Sequence, residues 1–399
     1  MNDFDFDHVP DRRHSDSVKW HTFDEDVLPL WVADMDFRSP EAVIRALKER
    51  VEHGVFGYHY TSNELREVVI ERLWRLYRWR VSPEDVGFVP GVVTGLNLAA
   101  HALSQPGGSV FIQTPVYGPF LYAAGHAGMQ MKQMELTRKT DGRYEIDFDL
   151  FRQGIDPNTR MFLMCNPHNP VGKVHSRSDL EQMAEICLQN NTVICSDEIH
   201  CDFIYSGYQH IPIASIAPEI AQKTITLMAP SKTFNIAGLE ASVAIIPNEA
   251  LRKQYFAASR GIMGGVNLLG QTAMLAAYRD GQPWLEALIK YLQGNRDFLA
   301  DFVRNELPGI HMGLPQATFL AWLDCRQAGI SGSPQKFFLE KARVALGGGE
   351  GFGKGGEGFV RLNFGCTRKL LTEALHRMKQ ALLDNARTDH DTSESARQT

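Results

Sequence analysis

A lysine stands where an apolar run gives out. Residues 224–229 read TITLMA, a buried strand by composition, and in "APSKTFNIAGLE" (229–240) Lys232 is the only charge before Glu240. Other apolar runs end in a similar way. "VGFV" (86–89) leads into "PGVVTGLNLAAHAL", where a Gly turn opens a helix whose first amides, near Val92 and Val93, suit a phosphate. "SVFIQ" is followed by "TPVYGPF", which carries Tyr117, and "RMFLMC" by "NPHNPVGKV", which holds Asn169 in a Pro-stiffened turn. "TVICS" runs into Asp197, and "TITLMA" into Ser231 and Lys232. The set comprises a phosphate cradle, an aromatic face, an amide, a carboxylate and an amine, an inventory for small-molecule chemistry.

The elements that must position these groups follow from the same pattern. From residue 86 onward, short apolar runs alternate with helical stretches, including a further run "SVAII", which predicts an α/β fold with helices flanking a mostly parallel sheet. In such sheets ligands gather at the carboxyl ends of the strands, where the inventory falls. Before it, "SPEAVIRALKERVEHG" has a helix start and a Gly stop. Residues 1–50 form an N-terminal segment, 51–284 a large α/β domain and 285–384 a smaller α+β domain containing the strand-like "ATFLAWLDC" and "GFVRLNF". The polar stretch 385–399 reads as a disordered tail.

Composition narrows the function classes. A chain of 399 residues with 44% hydrophobic and 22% charged residues buries a sizeable core. Its net charge of −6 and dispersed basic residues argue against nucleic acid or an anionic membrane as a partner. No apolar run is long enough to cross a bilayer, and "MNDFDFDHVPDRRHSDS" lacks the apolar core of a secretory signal, so a cytoplasmic location is expected. The six cysteines include no Cys-x-x-Cys pair, and disulfides are not expected. Cys195, His200 and Cys201 lack a fourth partner at metal-site spacing, so no metal is assigned.

Three motifs in order, "NPHNPVGKV", "SDEIHCD" and "APSKTFNIAG", resemble the fold-type I pyridoxal phosphate enzymes that include the class I and II aminotransferases. "DRRHSDSVKW", "LPLWVADMDF", "GVFGYHY", "SDEIHCDFIY", "HIPIAS" and "GFGKGGEGFVRLNFGC" sharpen this. Together they are similar to the MalY/PatB-type carbon-sulfur lyases, which act as cystathionine or cysteine-conjugate beta-lyases, over nearly the whole chain. The resemblance implies a cofactor, pyridoxal 5'-phosphate, with Lys232 as its Schiff-base lysine and Asp197 paired to the pyridine nitrogen. Asn169 would donate to the phenolic oxygen, Tyr117 would stack on the ring, and Val92, Val93 and Ser231 would hold the phosphate. His200, in "DEIH", would contact the cofactor. Arg361 would grip the substrate α-carboxylate as a planar fork, with Ala33 of "WVADMDF" also at the substrate. Tyr58, in "FGY", resembles the tyrosine that reaches the neighbouring subunit's cofactor, which implies a homodimer with shared sites. The N-terminal segment would pack with the small domain.

Two positions depart from the aminotransferase pattern. The arginine commonly found eight residues after the Schiff-base lysine is Glu240 here, and the tyrosine commonly found at position 200 is a histidine. Both favour a lyase, although Glu240 leaves phosphate neutralisation unexplained. Taken singly, each residue also has a plainer reading. Asp197 caps a helix, Asn169 shapes a turn, Tyr117 and Tyr58 are core aromatics, Arg361 is an ion-pair partner, and "GGGEGFGKGGEG" is a flexible linker. The implied activity is β-elimination from L-cystathionine or a cysteine S-conjugate to a thiol, pyruvate and ammonia. The alternatives are an aminotransferase and a regulatory binding protein with incidental lyase activity.

Overall fold

The structure of the protein, a computed structural model, describes residues 4–395. Its centre is a seven-stranded sheet of β2 (Val86–Val89), β3 (Ser109–Thr114), β4 (Gln130–Glu135), β7 (Thr159–Cys165), β8 (Val193–Asp197), β9 (Thr224–Met228) and β10 (Ser242–Ile245). The spatial order is β2-β10-β9-β8-β7-β3-β4. The strands from β9 to β4 run parallel, while β10 is antiparallel to both its neighbours.

Strands β3, β8 and β9 are buried along their whole length because helices cover both faces, which is why they read as continuous apolar runs. The pleat still sorts the side chains. Val110 and Ile112 join the core formed with Leu96 and Phe120, from helices Val92–Ala102 and Pro119–His126. Phe111 points the other way, 5.1 Å from the ring of Phe151 in helix Phe148–Gly154, near Leu180 and Met183 of helix Arg177–Gln189. Ser176 and Asp179 start that last helix with reciprocal side-chain caps. The edge strand β4 was not anticipated from the sequence. Its QMKQME is largely solvated and carries no apolar run.

A hairpin of β5 (Thr137–Arg138) and β6 (Tyr144–Glu145) follows β4. The smaller antiparallel sheet, in the order β11-β12-β15-β14, comprises β11 (His311–Met312), β12 (Leu320–Asp324), β14 (Gly347–Gly348) and β15 (Phe359–Asn363). It packs with the long helix Gln282–Glu306 and with the last helix, Arg368–Ser395. The N-terminal segment is tied to this half of the molecule through β1 (Leu28–Pro29), which pairs in parallel with β13 (Val344–Ala345). The next helix, Glu41–Glu52, packs instead on helix Leu268–Asp280.

Backbone 385–395 continues the last helix instead of forming an irregular tail, because no Gly or Pro interrupts that stretch. Residues 396–399 lie outside the described residues. The Gly-rich stretch is closely packed: a Cβ on Gly349 would stand 1.9 Å from the carbonyl oxygen of Gly356. Two backbones touch there, and the crossing leads directly into β15, which carries Arg361.

Candidate active site

The carboxyl ends of the parallel strands surround a cavity of about 310 Å³. Ten residues expected from the sequence border it: Ala33, Val92, Val93, Tyr117, Asn169, Asp197, His200, Ser231, Lys232 and Arg361. The eleventh, Tyr58, does not. It is fully exposed on an irregular stretch and borders a separate cavity of about 750 Å³ with Arg66, Phe88 and Arg260.

Lys232 lies in the single helical turn Pro230–Thr233 that follows β9. Its Nζ donates to the carbonyl oxygen of Ala33 at 2.6 Å. Burial lowers the proton affinity of the amine, with the Asp34 carboxylate opposing and Arg361 reinforcing that effect. An amine so placed is more readily neutral than a surface lysine, the state needed for attack on a carbonyl or for taking up a proton.

Asp197 ends β8, in register with Cys165 on one side and Leu227 on the other. One of its oxygens accepts from the Ile199 amide at 3.1 Å. Burial pushes the carboxyl up to about 7, the backbone bond and Lys232 counteract, and the adjacent Glu198 adds to the rise. A buried carboxylate held by a single backbone donor is short of a cationic partner. Beside it, His200 is buried against the edge of Phe319, with Nδ1 unpartnered among the described residues. Burial, with lesser contributions from Lys232 and Arg361, lowers this imidazole to about 3, so it is neutral at physiological pH.

Arg361 enters from the small sheet. Its Nη1 donates to Asn169 Oδ1 at 3.1 Å and its Nη2 to the Trp31 carbonyl at 3.0 Å, while the guanidinium lies 5.0 Å from the centre of the Phe352 ring. Nε is buried and unpartnered among the described residues. Burial lowers the guanidinium to about 10, still cationic at neutral pH. An orphaned donor on a buried fork suits an incoming carboxylate.

At the opposite end, Gly91 (φ 91°, ψ 147°) precedes helix Val92–Ala102, and this extended conformation at positive φ, open in practice only to glycine, explains the residue. Val92 and Val93, which open this helix, and Ser231 border the same cavity. Together the residues fit pyridoxal phosphate: an under-partnered carboxylate for a pyridinium, a low-affinity amine for an aldehyde, amides for a phosphate and an aromatic face at Tyr117. Glu240 also borders the cavity, in a left-handed conformation (φ 48°), and has no ion-pair partner among the described residues.

Sequence reasoning missed several contributors. Trp31 acts through a backbone carbonyl, which has no side-chain signature; Ala33, expected at the substrate, borders the cavity but holds Lys232 through its own carbonyl; and Asn363 holds the loop behind them through the carbonyls of Val32 and Asp34 at 2.7 and 2.9 Å. Thr94 borders the cavity one turn into the cradle helix; a hydroxyl in "PGVVTG" was the available signal.

The family model described as Aminotransferase class I and II matches residues 25–378. The chain belongs to that family. Within it, the chain is a member of the MalY/PatB-type group. It is 43% identical to cystathionine beta-lyase PatB of Bacillus subtilis over 94% of this chain and 99% of the relative. The solved structure of OvoB matches with a TM-score of 0.91 and 46% identity, covering 95% of this chain and 99% of the other. That of the PLP-bound C-S lyase from Staphylococcus hominis matches with a TM-score of 0.90 and 36% identity, covering 96% and 100%.

Proposed function

We propose that this protein is a pyridoxal phosphate-dependent carbon-sulfur beta-lyase that converts L-cystathionine or a related cysteine S-conjugate to a thiol, pyruvate and ammonia. The observation that carries this reading is the meeting of the Lys232 amine, the Asp197 carboxylate and the Arg361 guanidinium around one cavity, in a chain whose relatives include a cystathionine beta-lyase and a C-S lyase. When bound, pyridoxal phosphate supplies an electron sink conjugated to the substrate α-carbon.

The chain's own residues supply the rest. Arg361 binds the α-carboxylate through its free Nε and an adjacent Nη, which orients the Cα–H bond toward Lys232. The Lys232 amine takes the α-proton, and loss of the β-thiolate completes the elimination. Asp197 holds the proton on the ring nitrogen, and Asn169 donates through its amide nitrogen while its Oδ1 accepts from Arg361. The first amides of helix Val92–Ala102 and Ser231 bind the phosphate. His200, neutral and buried, contributes packing and one nitrogen toward the cofactor.

We read the protein as a cytoplasmic homodimer in which Tyr58 serves the neighbouring site. Support comes from the exposed aromatic stretch containing Phe56, Tyr58 and Tyr60. Among the described residues, no helix is long and apolar enough to cross a membrane.

The purified holoprotein should release pyruvate, ammonia and homocysteine in equal amounts from L-cystathionine with no keto acid present. Stalling after one turnover, with efficient exchange once a keto acid is added, would mean an aminotransferase.

A further inference from the structure

We propose that Lys19, assisted by Arg12, is a positioning residue for this reaction: it clamps the loop 31–37, whose Ala33 carbonyl holds the Lys232 amine and whose Trp31 carbonyl holds Arg361. The proposal rests on the roles given above to Lys232 and Arg361.

The loop has no helix or ladder of its own, so side chains satisfy and fix its backbone. Asn363 holds the carbonyls of Val32 and Asp34, and Asn235 those of Met35 and Phe37 at 3.1 and 2.7 Å. The N-terminal segment closes the far side. Lys19 Nζ donates to the Asp34 carbonyl at 2.9 Å and to Asp36 Oδ2 at 2.8 Å, with its side chain 0% exposed. Trp20 Nε1 and Arg12 Nη1 reach the other Asp36 oxygen at 3.0 and 3.3 Å. Arg12 also pairs with Asp34 Oδ2 at 2.6 Å and donates to the Met35 carbonyl at 2.9 Å.

A buried ion pair of this kind is poor evidence for stability, because hydrophobic replacements of both partners are often as stable. What it does provide is a fixed backbone. The residue whose carbonyl Lys19 grips is the immediate neighbour of Ala33, and Trp31 lies two residues further back. A slack loop would therefore displace both the amine and the carboxylate fork. Asp34 is in addition the carboxylate that chiefly opposes the effect of burial on Lys232, so Arg12 tempers the charge felt by that amine.

The test compares holoenzymes of wild type, Lys19→Met, Arg12→Gln and the double variant Lys19→Met with Asp36→Leu. Readouts are KM and kcat for L-cystathionine and the visible circular dichroism of the resting cofactor without substrate. Displacements of about 1 Å at a site cost on the order of 100-fold, so kcat/KM should fall about 10- to 100-fold in Lys19→Met, with KM raised and the dichroism altered. The double variant regains thermal stability but keeps both defects. Arg12→Gln, whose side chain is partly exposed, shows a smaller change in the same direction and decides the matter should Lys19→Met fail to fold. Any folded variant of Lys19, or failing that Arg12→Gln, with KM and dichroism like wild type overturns the proposal, as does recovery of both with stability in the double variant. Should Lys232→Ala still bind the cofactor covalently, the underlying assignment of Lys232 fails instead.

Discussion

Asp197→Asn should stabilise the cofactor-free protein at alkaline pH while weakening its hold on the cofactor. In the folded chain, burial raises this carboxyl from 3.8 to about 7. Between those values the unfolded chain has lost the proton and the native chain keeps it. The native state therefore binds more protons, and stability falls as pH rises through the window, levelling off above about 7. The interval from 3.8 to about 7 corresponds to about 4 kcal/mol of destabilisation at pH 8. Asparagine is neutral at every pH and retains an Oδ1 for the Ile199 amide. The cofactor-free variant should therefore exceed wild type by up to about 4 kcal/mol at pH 8 and match it near pH 4. Urea unfolding of both proteins, stripped of cofactor, at pH 4, 6 and 8 measures the difference directly. Buried His168 and His200 also titrate in folding, but they are common to both proteins and cancel. With cofactor bound the order should reverse, because a pyridinium needs the carboxylate. A stability difference that does not grow with pH would refute the claim that Asp197 is an under-partnered buried acid.

Arg361→Lys should lower kcat/KM about 10- to 100-fold, mainly through KM, since a charged hydrogen bond lost from a fork is worth about 1.5 to 3 kcal/mol; steady-state kinetics on L-cystathionine checks it. Glu240→Gln should tighten cofactor binding about two- to fivefold at low salt, as expected for removing an exposed like charge, and the gain should shrink at high salt; titration of the stripped protein followed by absorbance measures it. Mixing Tyr58→Phe with Lys232→Ala subunits, each severely impaired alone, should restore activity in the hybrid dimer, and no recovery after verified subunit exchange would assign both residues to one subunit's site.

The chemistry-bearing side chains were legible because an α/β sheet converts order along the chain into proximity in space. "NPHNPVGKV", "SDEIHCD" and "APSKTFNIAG" lie tens of residues apart, yet β7, β8 and β9 are adjacent and parallel, so their ends bring Asn169, Asp197 and Lys232 to one cavity. Strand β4 escaped because an edge strand needs no apolar run. The roles of Trp31 and Ala33 escaped because a carbonyl is the same in every residue, and only the fold says where it points. Lys19 escaped for a related reason. A lysine in "DSVKWH" looks solvated until the loop it clamps closes over it.

The division of labour between the two halves of the molecule explains why the site combines groups that sequence separates so widely. Lys232, Asp197, Ser231 and the cradle helix all belong to the large sheet, so the cofactor side needs only that sheet to exist. Arg361 comes from β15 of the small sheet, and Trp31 and Ala33 come from the N-terminal segment that β1 ties to β13. Hydrogen bonds at the cavity that join these parts include Arg361 to Asn169, Arg361 to Trp31 and Lys232 to Ala33. On the proposed roles, a substrate carboxylate at Arg361 would compete with the first two, and engagement of Lys232 by the cofactor would remove the third. On these roles substrate and cofactor would both act on contacts that cross between the halves, the first at Asn169 and the second at Ala33.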